Sequence, residues 1–519
     1  MTKTSRRTLL GGSLCGAALM AIGSPDLRAQ ATLSLIPSRG TLPSGIQSGD
    51  VTPRGAMVWA RSDRPGRMLV ELSTGRRGGR RTHKGPWATP KTDLTAKLEL
   101  KGLRPGREYE YRIQFEDTDG RLGKEEVGHF STPSLGSAPQ SFVWTGDTAG
   151  QGYGINPDLD GMVAYRAMHA LRPDFLIHSG DNIYADGPIK PEVTEPDGQV
   201  WRNITTPEVE KVAETLKEFR GRYRYNQMDA NIRAMYADVP VISQWDDHET
   251  TNNWYPGEVL DDERYQIERR ADVLSARGRQ TFFENMPISD LHGRGRHDLG
   301  QQPQMYRKLS RGSQLDVFCL DMRSYRDANT PGTEDQRTAF LGNRQVEWLL
   351  DGLQRSKATW KAIAADMPIG IIVPDGKNIE AVANGRSGAP AGRELEFAYL
   401  LKEIKRRKIR NVVWFTADVH YCAAHYYDPE KASFSDFDGF HEFVAGPISA
   451  GGFGPNKMDS TFGPQVLFQG VPSYPLQSPR NQKAMFFGYV EIDRAGTMSV
   501  SLRNGLGEVV YSKDLEPSR

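Results

Sequence analysis

Cysteine is scarce in this sequence, which has three cysteines among its 519 residues. Cys15 falls in an N-terminal leader, whereas Cys319 and Cys422 lie in apolar, strand-like surroundings. Neither of these two has the spacing of a zinc ligand pair, which excludes a cysteine zinc site. We therefore predict two buried thiols that pack as small hydrophobic side chains, and the sequence leaves a disulfide between them open.

Net charge and long apolar runs are missing as well. A formal charge of +1 gives no general attraction to a polyanion, and the sequence has no nucleic-acid-binding motif. Beyond the leader, no stretch approaches the roughly 20 apolar residues that a membrane-spanning helix needs. A Gly-x-Ser-x-Gly elbow is also absent, so a nucleophilic serine is not indicated. The balance of 38% hydrophobic and 25% charged residues is typical of a globular chain with a core.

The N-terminus is typical of an export signal. Residues 5–10 read Ser-Arg-Arg-Thr-Leu-Leu, and an apolar stretch over 9–22 and the small-residue pattern Ala-Gln-Ala at 29–31 follow. We predict a twin-arginine signal peptide over 1–31, recognition by the twin-arginine export machinery, and a periplasmic or secreted mature chain. A plain secretory signal or an uncleaved anchor is the alternative.

Residues 32–133 alternate apolar and polar side chains in short runs separated by turn residues, the pattern of an antiparallel β-sandwich. The segment Leu103–Tyr111 is similar to the turn and tyrosine strand of fibronectin type III domains. We predict an N-terminal fibronectin- or immunoglobulin-like β-sandwich over 32–133, followed by a linker over 134–140 that is rich in turn residues.

From residue 141 onward, strand-like and helix-like patterns alternate, which predicts a layered α/β core. The tail from 484 to 515 returns to alternating strands and predicts a closing β-hairpin or meander, within a domain over 141–519. Helical patterns cover 161–171, 207–235, 261–284, 344–353 and 394–407.

Four short polar clusters each follow an apolar run that is typical of a buried strand. In an open α/β sheet, side chains at the carboxyl ends of neighbouring strands converge on one crevice. Buried carboxylates repel one another and are costly to desolvate, so their convergence predicts a site for several metal ions. The clusters contain Asp147, then Asp181 with Tyr184, then Asp246-Asp247-His248-Glu249, and finally Asp418 with His420.

The first, second and fourth clusters predict metal ligands. Asp147 precedes a glycine-rich loop that lacks the spacing of a dinucleotide or Walker loop. Asp181 has two oxygens with which to bridge two ions, and a phenolate at Tyr184 favours ferric iron. Asp418 and His420 are two positions apart on an extended segment, so both face the same way. Each pattern taken alone is also typical of a strand-end turn.

The third cluster predicts both a ligand and an acid–base group. Asp247 is the predicted ligand, and His248 is placed to face a leaving group. Asn252 and Asn253 follow within a turn and offer amide oxygens, which suit calcium. Asn182 is a further candidate ligand or supporting residue.

The order of these clusters resembles that of metallophosphoesterases, and the chain closely resembles the alkaline phosphatase D family, the PhoD-like phosphatases. The N-terminal sandwich and the twin-arginine signal match that family too. The resemblance implies a layered α/β metallophosphoesterase core, a β-sandwich flanked by helices. The matching segments are Ser-Gly-Asp-Asn-Ile-Tyr at 179–184, Trp-Asp-Asp-His-Glu-Thr-Thr-Asn-Asn-Trp at 245–254, Asp-Met-Arg-Ser-Tyr at 321–325 and Ala-Asp-Val-His at 417–420.

The resemblance implies a ferric ion together with one or two calcium ions. Asp181 and Tyr184 would bind iron, with Asp181 also touching calcium. Asp247 and Asp418 would bind calcium, and His420 would lie on the iron side. The implied reaction is hydrolysis of phosphate esters outside the cytoplasm.

One departure from the family pattern concerns Asp147, because family members can carry a cysteine at this position. A carboxylate makes the site harder and leaves manganese, zinc or magnesium open. In a metal-assisted hydrolysis, His248 would donate a proton to the leaving oxygen. Arg323 or Arg326, near the apolar strand at 315–320, would offset charge on the phosphoryl oxygens.

Three functions are compatible with these patterns. The first is an exported metal-dependent phosphohydrolase that cleaves phosphate monoesters, diesters or both by attack of a metal-bound hydroxide. The second is a phosphodiesterase or phospholipase D-like enzyme that uses the same metals on lipid or wall-polymer head groups. The third is a non-catalytic calcium-binding or adhesion protein. His248 and Tyr184 argue against the third, because a structural calcium site needs neither.

Overall fold

The computed structural model describes residues 38–74, 79–288, 297–298 and 302–518. The predicted signal peptide over 1–31 therefore lies outside the described residues. Among the helices of the described chain, none combines the length and the apolar character that crossing a bilayer requires.

The secondary structure begins as short strands and then mixes strands with helices. The strands are β1 (Ile46–Thr52), β2 (Gly55–Arg61), β3 (Gly66–Ser73), β4 (Arg81–Ala88), β5 (Thr95–Lys101), β6 (Glu108–Glu116), β7 (Glu126–Ser131), β8 (Gln140–Thr145), β9 (Phe175–Ser179), β10 (Glu192–Thr194), β11 (Val200–Arg202), β12 (Val241–Gln244), β13 (His297–Asp298), β14 (Gln302–Pro303), β15 (Arg307–Ser310), β16 (Leu315–Cys319), β17 (Trp360–Ala364), β18 (Pro374–Asp375), β19 (Asn378–Ile379), β20 (Val412–Thr416), β21 (Cys422–Tyr427), β22 (Phe440–Val444), β23 (Pro464–Gly470), β24 (Phe486–Ile492), β25 (Met498–Asn504) and β26 (Val509–Leu515). The helices are α1 (Val163–Ala170), α2 (Leu216–Asn226), α3 (Ala230–Asp238), α4 (Ala271–Asn285), α5 (Asn343–Arg355) and α6 (Glu394–Arg406).

Two large sheets pack face to face in the core. One has the strand order β26-β25-β24-β8-β9-β12-β1-β2-β5, and the other has the order β15-β16-β17-β20-β22-β21-β23. At the centre of the first sheet, β9 pairs in parallel with β8 on one side and with β12 on the other. In the second sheet, β17 pairs in parallel with β20. Large apolar side chains fill the space between the sheets, among them Phe142, Trp144, Phe175, Ile177, Val317, Ala362, Val413 and Phe415.

The alternate side chains of the same strands face outward onto helices, as the two-residue period of a strand requires. Val143 and Leu176 pack with the buried faces of α1 and α3. Trp414 packs with the apolar faces of α5 and α6 on the opposite side of the molecule. The predicted layered core, a β-sandwich flanked by helices, is confirmed.

The N-terminal strands form a second sandwich, as predicted. The sheet β4-β3-β6-β7 packs on β1, β2 and β5 around a separate apolar cluster that includes Val58, Val70 and Tyr111. This second sandwich shares a sheet with the core, because Gly49 of β1 pairs in parallel with Val241 of β12. A Cβ atom at Gly49 would lie 2.5 Å from the Val241 carbonyl oxygen, so this close approach requires glycine.

Two helical predictions were too long. The pattern over 207–235 divides into α2 and α3, because Thr215 caps α2 in a capping box and Asp229 caps α3 with its carboxylate. The pattern over 261–284 yields a helix only from Ala271. The segment before it is irregular, since the buried Glu214 carboxylate accepts hydrogen bonds from the backbone of residues 267 and 268.

Both cysteines of the described chain are buried, and neither forms a disulfide there. Cys319 and Cys422 belong to the apolar cluster between the two large sheets. Burial raises the pKa of the Cys319 thiol to about 12, so this side chain behaves as a small hydrophobe. The prediction of two buried thiols is confirmed.

One buried ion pair joins the N-terminal sandwich to β15, an edge strand of the second large sheet. Asp50 of β1 accepts hydrogen bonds from Arg307 of β15 at 2.9 to 3.2 Å, and neither side chain is more than 3% exposed. A guanidinium in this position would be strongly destabilised without its carboxylate, because both charges have been removed from water.

We predict that Asp50→Asn lowers the free energy of unfolding by about 3–5 kcal/mol, because it leaves the Arg307 charge buried and unpaired. Asparagine keeps the size of the side chain and tolerates the positive φ of 44° at this residue. The measurement is urea-induced unfolding. Glu125→Gln removes a half-exposed partner of Arg112 and should change stability by less than about 1 kcal/mol. Equal effects of the two substitutions would contradict the prediction.

Candidate metal centre

The polar clusters of the sequence lie at the carboxyl ends of the central strands. Asp147 follows β8, Asp181 follows β9, and Asp246 and Asp247 follow β12, three adjacent parallel strands of one sheet. Asp418 follows β20 of the facing sheet. Since the two sheets pack face to face, the strand ends converge on one crevice, as expected from the pattern of strand-end carboxylates.

The backbone at several of these residues is strained. A left-handed conformation is uncommon for residues other than glycine and costs of order 1–3 kcal/mol each. Backbone hydrogen bonds hold it, for example from Thr148 to the Asp181 carbonyl at 2.9 Å. Such strain concentrates at functional sites. The φ angles are 66° at Asp147, 52° at Asp181, 68° at Asp418 and 59° at His420.

The deepest group of ligand atoms comes from Asp147, Asp181 and His420, which lie within 4.8 Å of one another. His420 Nε2 is 3.4 Å from an Asp147 oxygen and 2.9 Å from the Tyr184 hydroxyl. His420 Nδ1 donates to the Gly451 carbonyl at 2.5 Å, which leaves Nε2 as the nitrogen that faces the carboxylates. All four side chains are almost completely buried.

Two further groups adjoin the first. Asp181, Asp247 and His248 form one, and Asp246, Asp247 and Asp418 form the other, each with ligand atoms within 4.8 Å. Asp181 is shared by the first two groups and Asp247 by the last two. The three groups therefore form a continuous row, which suits neighbouring ions that share carboxylates.

The buried carboxylates of this row need positive charge nearby if they are to be ionised. Burial and the neighbouring charge of Asp246 raise the pKa of the Asp147 carboxyl well above its usual range. Burial and the charge of Asp247 do the same to the pKa of Asp181. One oxygen of Asp147 and one of Asp247 have no hydrogen-bond partner among the described residues. Carboxylate and phenol oxygens beside an imidazole nitrogen fit hard and intermediate cations, so the residues present fit the metals that the sequence implies.

His248 lies at the edge of the row with its ring fixed on two sides. Nδ1 is 2.7 Å from an Asp186 oxygen, and the ring stacks on Tyr184 at a centroid distance of 4.1 Å. Burial alone would lower the pKa of His248, but the charges of Asp186 and Asp247 raise it to about 10. Its side chain is 13% exposed, whereas that of Asp247 is 3% exposed.

Arg323 is completely buried among the carboxylates. Its side chain has no exposed surface, Nε bonds Asp246 at 2.6 Å, and Nη1 binds Glu380. Nη2 lies 4.0 Å from both Asp247 and Asp418. Arg323 is therefore a buried counter-charge to the carboxylates, and its contact with phosphoryl oxygens stays a prediction. Arg326 is equally buried, with its guanidinium 4.5 Å from the centre of the Phe340 ring.

The three asparagines have different surroundings. Asn182 donates from its side-chain amide to the Gln244 carbonyl and to Glu249, so it ties strand ends together. The side chain of Asn252 is exposed. Asn253 donates its backbone N–H to Asp247 at 2.7 Å and its side-chain amide to Asp375. Of the three, Asn253 bonds directly to a candidate ligand.

Several site residues were not selected from the sequence. Asp246 belongs to the third donor group, although its neighbour Asp247 was the predicted ligand. Asp366 is buried near Arg323, and it follows the end of β17, so the strand-end rule could have found it. Glu380 bonds Arg323 from a loop, and no sequence pattern marks it. Asp186 follows Tyr184 by two residues, so its nearness to the second cluster in the sequence could have suggested it.

A two-sheet sandwich with outer helices and a row of carboxylates at its parallel strand ends defines a metallophosphoesterase. Residues 142–504 match the PhoD-like phosphatases, and residues 29–134 match the N-terminal domain of PhoD-like phosphatases. The chain belongs to the PhoD-like phosphatase family.

Known relatives agree with this assignment. Alkaline phosphatase D of Bacillus subtilis (strain 168) is 28% identical over 393 residues, which cover 72% of this chain and 61% of that protein. The chain thus spans less than two thirds of the length of that curated relative. A solved structure of PhoD superposes with a TM-score of 0.67 at 21% identity and covers 91% of this chain and 88% of its own. Purple acid phosphatase PPD1 from yellow lupin (Lupinus luteus) seeds has the same core fold, with a TM-score of 0.54 at 14% identity over 92% of this chain and 74% of its own.

We predict that Asp181→Asn loses bound cations, because Asp181 contributes to two of the three donor groups. Its metal affinity should fall more than the roughly 10–100-fold that is typical when a residue only supports a ligand. Elemental analysis of the purified protein after dialysis measures this. Asp160→Asn is a matched control, since Asp160 has a similar φ of 56° but is 76% exposed. Normal metal content in Asp181→Asn would refute a shared role.

Proposed function

We propose that this protein is an exported metal-dependent phosphoesterase that hydrolyses phosphate monoesters, diesters or both. The observation that supports it most directly is the continuous row of donor groups that share Asp181 and Asp247. A structural ion needs one closed group of ligands, whereas hydrolysis of a phosphate ester uses adjacent ions that hold the attacking and leaving oxygens. Membership of the PhoD-like phosphatase family supports the same reaction.

We propose that iron and calcium occupy different parts of the row. Asp147, Asp181, Tyr184 and His420 would hold a ferric ion, since a phenol and carboxylates together favour a hard trivalent cation. Asp247 and Asp418 offer only oxygen, and with Asp246 they would hold one or two calcium ions. When bound, such cations polarise a phosphoryl oxygen and make water a better nucleophile near neutral pH.

The protein's own side chains would perform the remaining tasks. Arg323 donates a hydrogen bond to Asp246, and Glu249 accepts backbone N–H groups of Asp181 and Asp246, which fixes the strand ends. The backbone amide of Asn253 holds one oxygen of Asp247. His248, on the exposed side, would carry the proton that the departing oxygen needs. These contacts orient the ligands before substrate arrives.

We also propose that residues 1–31 direct export by the twin-arginine route. The paired arginines and the small-residue sequence at 29–31 support this. The twin-arginine machinery transports folded proteins, which suits a metal centre assembled before export. The N-terminal sandwich over 32–133, the linker over 134–140 and the catalytic domain over 141–519 would form the exported chain.

The test of the reaction is hydrolysis of a monoester, a diester and a phospholipid by the purified protein, with analysis of the products. We predict release of phosphate or of a phosphomonoester, loss of activity on dialysis against a chelator, and recovery when cations are restored. Hydrolysis of the phospholipid alone would favour the alternative phospholipase D-like activity on lipid head groups. Activity that survives complete removal of metals would contradict the proposal.

We predict that ferric iron bound at Tyr184 gives the protein a visible absorption band from charge transfer between the phenolate and iron. Tyr184→Phe should remove the band and keep the fold, because the ring still stacks on His248. Tyr153→Phe is the control, since the Tyr153 hydroxyl donates to the Leu476 carbonyl, whereas the Tyr184 hydroxyl lies 2.9 Å from His420. An iron-free, colourless wild-type protein would instead indicate manganese, zinc or magnesium at these ligands.

A further inference from the structure

Two buried carboxyl groups that belong to none of the three donor groups face each other. Glu394 is the first residue of α6 and has no exposed surface, and Asp459 lies between β22 and β23 and is 5% exposed. Their side chains are hydrogen-bonded to each other. Because an ionised carboxylate only accepts hydrogen bonds, this contact requires a proton on one of the two groups. The pair lies where the α6 loop (residues 370–393), which precedes α6, meets the β23 loop (residues 445–463), which precedes β23.

Amide groups of the α6 loop hold both carboxyl groups. Glu394 accepts the backbone N–H of Asn384 at 3.1 Å and the side-chain amide of Asn384 at 2.8 Å. Asp459 accepts the backbone N–H of Gly385 at 3.1 Å. Adjacent residues of one loop are thus bonded to both members of the pair, so the loop cannot move away without breaking these bonds.

In the part of the chain that the structure describes, no lysine, arginine or histidine is paired with either carboxyl group. The guanidinium of Arg393, which precedes Glu394, donates instead to the Asp327 carbonyl at 2.9 Å and to the Asn329 side chain at 2.8 Å. Burial and the charge of Asp459 raise the pKa of Glu394 to about 8. The other charged or titratable groups on the surrounding elements are Glu334, Arg386, Glu396, Tyr427, Glu442 and Lys457.

The two loops are also bonded to each other. The Ile372 N–H donates to the Lys457 carbonyl at 2.8 Å, and the side-chain amide of Asn456 donates to the Ile372 carbonyl at 3.1 Å. The Asp459 N–H donates to the Gly370 carbonyl at 3.3 Å. The carboxyl pair therefore extends a contact that these bonds begin.

Both loops touch the metal row. In the β23 loop, the Phe453 N–H donates to the His420 carbonyl at 3.1 Å, and the ring centroids of these two residues are 5.1 Å apart. In the α6 loop, Asp375 accepts the side-chain amide of Asn253 at 3.3 Å, and the Asn253 backbone N–H donates to Asp247. The bonded loops thus reach the row at His420 directly and at Asp247 through Asn253.

We propose that Glu394 and Asp459 form a proton-sharing clamp that holds the α6 loop against the β23 loop beside the metal row and releases it as the pH rises. In the closed form, one proton lies between the two carboxyl groups. When that proton passes to water or to a buffer base, two buried negative charges repel each other, and the loops separate so that water can hydrate them. The inference does not depend on the proposed phosphoesterase function.

The direction of the pH dependence follows from proton binding. In the open form the carboxyl groups are in water, and Glu394 loses its proton near the ordinary glutamate pKa of about 4.3. In the closed form the pKa of Glu394 is about 8, so between these two values the closed form binds one proton more than the open form. Opening therefore becomes about 10-fold more favourable for each unit that the pH rises in this range, and it levels off above the range.

Amide hydrogen exchange of the intact protein tests the clamp. The N–H groups of Asn384 and Gly385 exchange only when the carboxyl groups release them. After division by the intrinsic exchange rate, and where the loops reclose faster than exchange occurs, we expect the wild-type rate at these two residues to rise by about 30–100-fold from pH 6 to pH 8. In Asp459→Asn the side-chain amide replaces the shared proton, so the rate should change by less than about 3-fold.

Asp436→Asn is a matched control on the same helix. Asp436 pairs with Lys402 and Lys405 of α6 at 3.2 Å and is 49% exposed, so this substitution should keep the wild-type pH dependence. If Asp459→Asn does not fold, Glu394→Gln is measured in the same way, with the same expected result. A wild-type change below about 3-fold, or an unchanged pH dependence in the folded variant, would overturn the inference. The assay uses no substrate, so failure of the proposed reaction leaves its outcome unaffected.

Discussion

Repulsion among buried carboxylates is the constraint on which the site depends. Asp147, Asp181, Asp246 and Asp247 follow adjacent strands, and each is at most 2% exposed. Ligand atoms lie within 4.8 Å of one another between Asp147 and Asp181, between Asp181 and Asp247, and between Asp246 and Asp247. Unpaired buried charges are far more costly than surface ones. The ionised form of this arrangement is stable only if positive charge balances it, which is the physical reason to expect cations at these strand ends.

The protein supplies part of that positive charge itself. Arg323 is buried next to the row, where it pairs with Asp246 and Glu380 and so stabilises their negative charge. Burial by itself would lower the pKa of Arg323, but the charges of Asp246 and Glu380 raise it well above its usual range. The arginine is held as a permanent cation, and the negative charge that it does not balance is available to the proposed metal ions.

Much of this arrangement could be predicted because it follows from local sequence. Asp147 and Asp181 follow apolar strands, and such strand-end positions meet wherever parallel strands are neighbours. The N-terminal sandwich follows from the alternation of apolar and polar side chains, and the layered core follows from the alternation of strand-like and helix-like patterns. The sequence did not show that β1 joins the core sheet, because pairing between Gly49 and Val241 depends on two segments far apart in the chain.

The partners of Arg323 could not be predicted, for a related reason. The neighbouring sequence indicates that an arginine lies near the site. It does not indicate whether the guanidinium is buried among the carboxylates or faces solvent. That depends on Glu380, which comes from a distant loop without a recognisable pattern. Long-range partners of this kind decide whether a charged side chain faces solvent or the core, and only the assembled fold reveals them.

Glycine permits the close approach that the row needs. A Cβ atom at Gly446 would lie 2.2 Å from an Asp147 oxygen, and one at Gly180 would lie 2.4 Å from the Asp246 Cβ. Any larger residue would push a ligand out of place. Since the ligands also have strained backbones, the strand ends are closely packed on the buried side, where Asp147 and Asp181 lie. The more exposed side chains of the row are those of His248 and Asp418, and a substrate would approach the row from their side.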